Sequence, residues 1–539
     1  MDGALSYPAA HIGLTPPGKT AKLHPVKPMS PRRLLIPSIL AATLLGAQER
    51  IHTVTDVPSY GAFIQGLAEF CRPAEAMKAL QYIHRNCQSR FLLPTFDGVA
   101  LDAPLQTVAT LSPNGTTNQI LWLNLDNLAT FKLQTGKCYG KADFTKAWHC
   151  WSKPKDAALP PNLALGTLLG NTILSTRPIG ADLAGPLRNA LPPLDSNRKT
   201  VLRHHLISRE SRAFLASFGI LRPDDLDAIN TCHCELEASP HQATFRIVLT
   251  STPGSPLANW IRTTPPPTNF WRHIPRGVPL ASILPTRETN GLSESAFYLM
   301  PDTANHRFSF KSFRKTASPA HATQLLDTFS KGDTNHFLTP LTTLGYRVSA
   351  QKPLTIDARP ARRLRIQKEN ALVDTLPSFG LPVSPVRLFR QTDTLYATAL
   401  GDTLVLASGN PESLMTAART ATLPGPDFRR RFLRYIPENA DILAAGILQP
   451  TALLRHWIAF LPNSSALLQK LPDAGDDLAW ALTRESKDSL ALSIWLPQTE
   501  AFALQATFNR GIGVLQEVLM QYLFQEMMQK ASTEQESEQ

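Results

Sequence analysis

The side chains whose type and spacing suggest chemistry are mainly arginines. Arg359, Arg362, Arg363, Arg365 and Lys368 form one cluster, and Arg429, Arg430, Arg431 and Arg434 form a second that is interleaved with Phe428, Phe432 and Tyr435. A guanidinium is a planar fork of donors that fits a carboxylate or phosphate two bonds at a time. Such clusters point to an anionic ligand or, more plainly, to local pairing with Asp and Glu on a solvated face. The aromatic interleaving resembles a nucleic-acid surface, but no RNA- or DNA-binding motif accompanies it, so nucleic acid is not an expected partner.

Other candidates fail on spacing or context. Cys232, His233, Cys234 and His241 carry metal-ligating atoms, yet in a strand His233 points away from both thiols. His204-His205 and His149-Cys150 lack the i, i+4 His pair and Glu of a zinc-protease helix. Ser312 to Lys315 and Ser152 to Lys155 satisfy S-x-x-K, and Ser408-Gly409-Asn410 resembles the second element of penicillin-binding proteins. No K-T-G element or G-x-S-x-G elbow completes them. The carboxylate pairs Asp224-Asp225 and Asp476-Asp477 fall where turns favour Asp for backbone reasons. Gly13 to Thr20 (GLTPPGKT) matches the phosphate-loop pattern, but Pro16 and Pro17 have no N–H for a phosphate and no strand precedes them, so no nucleotide is expected. No catalytic, cofactor or metal residue is assigned, and no cofactor is expected. Of the six cysteines, Cys138 and Cys150 border one loop and are the candidate disulfide. Cys71 and Cys87 flank a helix that would hold them about 24 Å apart.

Length and composition bound the scaffold. A chain of 539 residues exceeds one ordinary core, 43% hydrophobic content excludes a disordered polymer, and 45 prolines predict many short elements. The net charge of +11 favours anionic partners without naming them. From Met29, Arg32 and Arg33 precede an apolar run, Leu34 to Ala47, which reads as an export signal. As a helix the run would reach roughly 21 Å, short of a bilayer core of about 30 Å, so cleavage near Ala47 is expected ahead of a retained N-terminal anchor. Residues 1–28 then read as a disordered leader or a misplaced start.

The elements that must position these side chains are clearest at Thr394 to Thr420. TLYATAL, Gly401-Asp402 and TLVLAS spell strand, two-residue turn and strand, and PESLMTAART follows as a helix. With that turn, facing residues have numbers that sum to 803, so Leu395, Ala397 and Ala399 share a face with Leu404, Leu406 and Ser408. This face is expected to receive the Leu414 and Met415 side of the helix. Similar strand-strand-helix spelling recurs around Asn114-Gly115, at TCHCELEA with QATFRIVLT, and at DLAWALTR with LALSIWLP. Gly136 to Trp151 reads as loop or irregular strand, LALGTLLGNTIL as a packed helix or strand, and Arg272 to Thr355 is poorly legible. The expected class is α+β, with repeated strand-strand-helix units forming curved antiparallel sheets and helices packed on one face. Domains are expected at 48–207, at 208–355 (a second domain or the first half of a larger one) and at 356–530, the last ending in a long helix, with a disordered tail at 531–539.

The TDVPSYGAFIQGL opening, LRPDDLDAINTCHCELE with STPGSPLANWIR, and LYATALGDTLVLASGNPESL followed by ENADILAAGILQPTALL resemble large exported bacterial proteins catalogued only as domains of unknown function. The resemblance implies an envelope role and supplies no catalytic residues. The expectation is thus an exported, periplasmic or surface, non-enzymatic protein that binds an anionic lipid headgroup, peptidoglycan, a surface polysaccharide or another envelope protein. The alternative is an exported hydrolase acting on glycan or peptide.

Overall fold

Short apolar runs closed by turn residues become strands, each paired antiparallel to its neighbours. The computed structural model describes residues 50–71, 91–112, 116–145, 147–157, 159–168, 171–179, 201–217, 223–268, 270–288, 291–302, 307–330, 346–368, 392–422, 428–432, 434–459, 465–473 and 475–507. The residues expected as leader and export signal (1–47), Gly13 to Thr20, Asn114-Gly115, Cys87, the end of the expected terminal helix and the expected tail 531–539 lie outside the described residues, as does the side chain of Lys368.

The first nine strands are β1 (Arg50–Val57), β2 (Leu105–Leu111), β3 (Thr117–Trp122), β4 (Tyr139–Phe144), β5 (His149–Pro154), β6 (Asn162–Leu168), β7 (Asn171–Ser175), β8 (Val201–Leu206) and β9 (Ile229–Ser239). They are followed by β10 (Gln242–Ser251), β11 (Leu280–Glu288), β12 (Gly291–Asp302), β13 (Arg307–Lys315), β14 (Tyr346–Ala350), β15 (Leu354–Ile356) and β16 (Arg359–Lys368). The last five are β17 (Thr392–Leu400), β18 (Thr403–Ser408), β19 (Asp441–Leu448), β20 (Leu478–Ser486) and β21 (Ser489–Pro497). The helices are α1 (Tyr60–Cys71), α2 (Leu128–Cys138), α3 (Arg209–Ser217), α4 (Pro256–Thr263), α5 (Pro319–Ser330), α6 (Pro411–Thr422), α7 (Pro450–Ala459), α8 (Ser465–Lys470) and α9, residues 498–507.

Among the described residues the strands form one open antiparallel sheet. Its order is β4-β5-β6-β7-β3-β2-β1-β8-β9-β10, continuing into β21-β20-β19-β11-β12-β13-β18-β17-β16. β14 and β15 lie in succession along the far side of β16. A sheet of this size must coil to bury its faces. The broad α+β class agrees with this arrangement. Pairing crosses positions 207 and 355, since β8 pairs with β9, β10 with β21 and β11 with β19.

The β17–β18 hairpin has the register its turn dictates: Leu395 faces Ser408, Ala397 faces Leu406 and Ala399 faces Leu404. Gly401 takes φ +56°, the left-handed value that a primed hairpin turn requires at its first loop residue. The packing differs from the expectation. Leu395, Ala397, Leu404 and Leu406 close around Leu326 of α5, whereas Leu414 and Ala417 of α6 join the core of Tyr396, Val405 and Ala407. The hairpin is therefore covered by helices on both faces, because the alternate residues of both strands are apolar as well. β19 is buried through nearly its whole length, and Leu443 enters one core while Ile442, Ala445 and Ile447 enter another. That is the pattern of a strand covered twice.

Gly136 to Trp151, which reads as loop or irregular strand, completes α2 and forms most of a hairpin, β4 with β5. LALGTLLGNTIL forms another, β6 with β7.

Candidate functional site

The second arginine cluster sits on a single 3-10 turn, Phe428–Arg431, and the loop after it. Phe428 and Phe432 are buried and pack against Trp271, so these rings anchor the turn and cannot serve as platforms for stacked bases. Of the intervening arginines, Arg430 is exposed and Arg429 and Arg431 are half-buried. Arg429 donates to the carbonyl oxygens of Glu438 and Ala440, which folds the loop back on itself.

Arg431 meets Asp477 through two bonds, Nε to Oδ2 at 2.9 Å and Nη2 to Oδ1 at 2.6 Å. Gln449 donates to the same Oδ1 at 2.7 Å. Register brings these residues together. Leu448 of β19 faces Leu478 of β20, so Gln449 and Asp477 sit side by side just beyond the strand ends. Arg434 lies over the Tyr435 ring at 4.6 Å, and that ring stacks on Trp495 at 5.2 Å. Asp476 lies 3.9 Å from Arg434, and both are about half exposed, a separation at which a solvated pair contributes little. Arg430, Arg431, Arg434, Gln449, Asp476 and Asp477 line an open cleft of about 360 Å³. Arg430 is exposed and has no ion-pair partner among the described residues. The arrangement can hold a carboxylate or phosphate group against Arg430 and Arg434, with Arg431 fixed behind them.

Glu500, fully buried, supports the cleft from behind. Its Oε1 accepts from the Thr451 N–H at the start of α7, and its Oε2 accepts from the Gly475 N–H. Burial pushes its carboxyl above the usual range, more than these two donors pull it down, and Asp477 adds to the rise. Gly475 has no room for a side chain: a Cβ there would meet the Glu500 backbone at 2.5 Å.

The first cluster divides by strand alternation. Arg362 faces α5 and pairs with Asp327, while Arg359, Arg363 and Arg365 are exposed on β16 with no ion-pair partner among the described residues. None of the first cluster's residues lines the cleft of Arg430, Arg431 and Arg434.

The remaining candidates resolve as structural. Cys232 and Cys234 are buried, and burial pushes their thiols up to about 12 and about 11, so they stay protonated at neutral pH. The Cys138–Cys150 disulfide is not formed, and both thiols are free. Cys150 faces Asp143, whereas Cys138 lies opposite Lys155, whose N–H donates to its carbonyl; that offset of five residues along a strand is about 17 Å, beyond the reach of a bridge. Ser312 and Lys315 are three apart on β13 and point to opposite faces, and Lys315 pairs with Asp402. The hydroxyl of Ser408 accepts from the Phe310 N–H, and Asn410 accepts from the Ser413 N–H at the start of α6. His204 bonds Thr55 and His205 bonds Asp56, each at 2.7 Å. Among the described residues no group of three His, Cys, Asp or Glu side chains could hold a metal ion.

Reasoning from the sequence missed Gln449 and Glu500, and it assigned Asp477 to a turn without its partner. A pairing of DILAAGIL with DLAWALTR would have exposed Gln449 and Asp477, because it brings their ends together. The chain matches no family model, no curated protein and no solved structure.

Proposed function

We propose that this protein is exported and non-enzymatic, and that it binds an anionic group of an envelope glycan, peptidoglycan or surface polysaccharide, in the cleft of Arg430, Arg431 and Arg434. The observation that carries the reading is Arg430: an exposed guanidinium at the mouth of a cleft whose other charged groups already have partners. The apolar run after Arg32 and Arg33 and the resemblance to exported bacterial proteins support the envelope setting. In this reading the hairpin-helix order is a repeated strand-strand-helix scaffold that holds the cleft rigid. Among the described residues no helix is long and apolar enough to cross a membrane.

A glycosidase would need a carboxylate pair open to substrate. Of the carboxylates lining the cleft, Asp477 is held by Arg431 and Gln449 and Asp476 lies beside Arg434, while both oxygens of the buried Glu500 are taken by backbone N–H groups.

The test is binding of the purified protein to peptidoglycan and to acidic and neutral polysaccharides across a salt series. Salt-sensitive binding to an acidic polymer is expected, weakened about tenfold by Arg430→Ala with Arg434→Ala. Unchanged affinity in that double variant would exclude the cleft.

A further inference from the structure

Among the described residues, the large apolar side chains that stand exposed are Leu128 (46%), Leu133 (64%) and Phe144 (67%), all between the start of α2 and the end of β4. Residues 128–155 carry six lysines against the single acidic residue Asp143. Apolar points set among cations occupy one continuous piece of chain, because α2 runs into β4 without an intervening loop.

The local structure turns these residues outward. Phe131 and Thr135 are fully buried and seat α2 on the body of the protein, and Asn127 caps the helix by accepting from the Thr130 N–H at 2.9 Å. Leu133, Gly136 and Lys137 are left on the exposed side. In β4 only Tyr139 is buried, and Gly140 to Phe144 are exposed on both faces, so β4 is an open edge strand with Phe144 at its end, while β5 stays paired to β6 with Trp151 buried. Lys132 Nζ lies 2.7 Å from His149 Nε2, and the His149 ring meets Phe144 edge-on at 4.8 Å, which ties the ribbon tip to the helix.

From this geometry we infer that α2 and the β4–β5 ribbon form a seat for an anionic phospholipid bilayer. Phe144 and Leu133 enter the headgroup and acyl boundary, and Lys137, Lys141 and Lys153 contact lipid phosphates. Charge decides the sign of the surface, and the separate outward-standing apolar points suit a deformable apolar phase. The seat is built from other residues than the arginine cleft and does not depend on it.

The test is flotation of the full chain with vesicles of phosphatidylcholine containing phosphatidylglycerol, against phosphatidylcholine alone. Binding to the anionic vesicles is expected, with roughly a tenfold loss for Phe144→Ser and a similar loss for Lys137→Glu with Lys141→Glu. Lys487→Ala, which removes an exposed cation outside both the seat and the cleft, should leave it unchanged. A Phe144→Trp variant should show blue-shifted emission on the anionic vesicles, quenched by brominated lipid. All these positions are exposed, so circular dichroism should show unaltered folding. Equal binding by Phe144→Ser, unshifted emission from Phe144→Trp, or a preference for a soluble polyanion over vesicles would overturn the inference.

Discussion

Asp477 is the carboxylate on which the cleft is built, and it lies 46 positions from the arginine that it fixes. Asp477→Asn leaves the half-buried Arg431 without its counter-charge and puts an amide donor where an acceptor stood. Urea unfolding should show a loss of about 2 kcal/mol; a change within a few tenths would mean the pair acts as a solvated one. Glu500 gives a pH prediction whose sign follows from burial. Its folded carboxyl is raised above the ordinary 4.5, so between 4.5 and the raised value the folded state holds more of the proton than the unfolded state. Stability from this group is therefore greatest in acid, falls as pH rises through that window and is level above it. Urea midpoints for wild type and Glu500→Gln, followed from acid to neutral pH, should show the wild-type advantage shrinking with rising pH. A constant difference would contradict the raised carboxyl.

At the scale of elements, β19 and β20 are held by a close fit as well as by their ladder. Gly446 faces Trp480, and a Cβ at Gly446 would come within 2.3 Å of the indole. Gly446→Ala should cost roughly 2 kcal/mol through overpacking, and most of that should return in the double variant with Trp480→Ala, whose own cost is scored separately in a double-mutant cycle. Additive effects would place the strain elsewhere. The β17–β18 hairpin was legible because a strong turn and period-2 alternation agreed. The β4–β5 ribbon was not, because YGKADF is exposed on both faces and so lacks the alternation from which a strand is read. The direction of α6 was misjudged for the opposite reason: both faces of its hairpin are apolar, and pattern alone does not choose between them. Of the candidate site, the arginines were visible by composition, and their partners were hidden because only strand register brings them near.

At the scale of the whole molecule, neighbours in the sheet are often remote in the chain. Gln242 of β10 faces Pro497 of β21, and Leu280 of β11 faces Leu448 of β19. No local signal encodes such neighbours, so the order of the strands could not be read from the sequence. A chain ending at residue 476 would lose β20 and β21 and leave an open edge on β10 and another on β19. Such a truncation should be largely insoluble, since unpaired apolar edges recruit other chains. A soluble, monomeric truncation on size-exclusion chromatography would argue that the early strands are self-sufficient.

The same pairing carries a consequence for biosynthesis. A ribosome releases β10 some 240 residues before β21 is made, so the centre of the sheet stays unfinished until translation is nearly over. For the exported protein proposed above, such a delay would leave the middle of the chain extensible when it reaches a translocation channel.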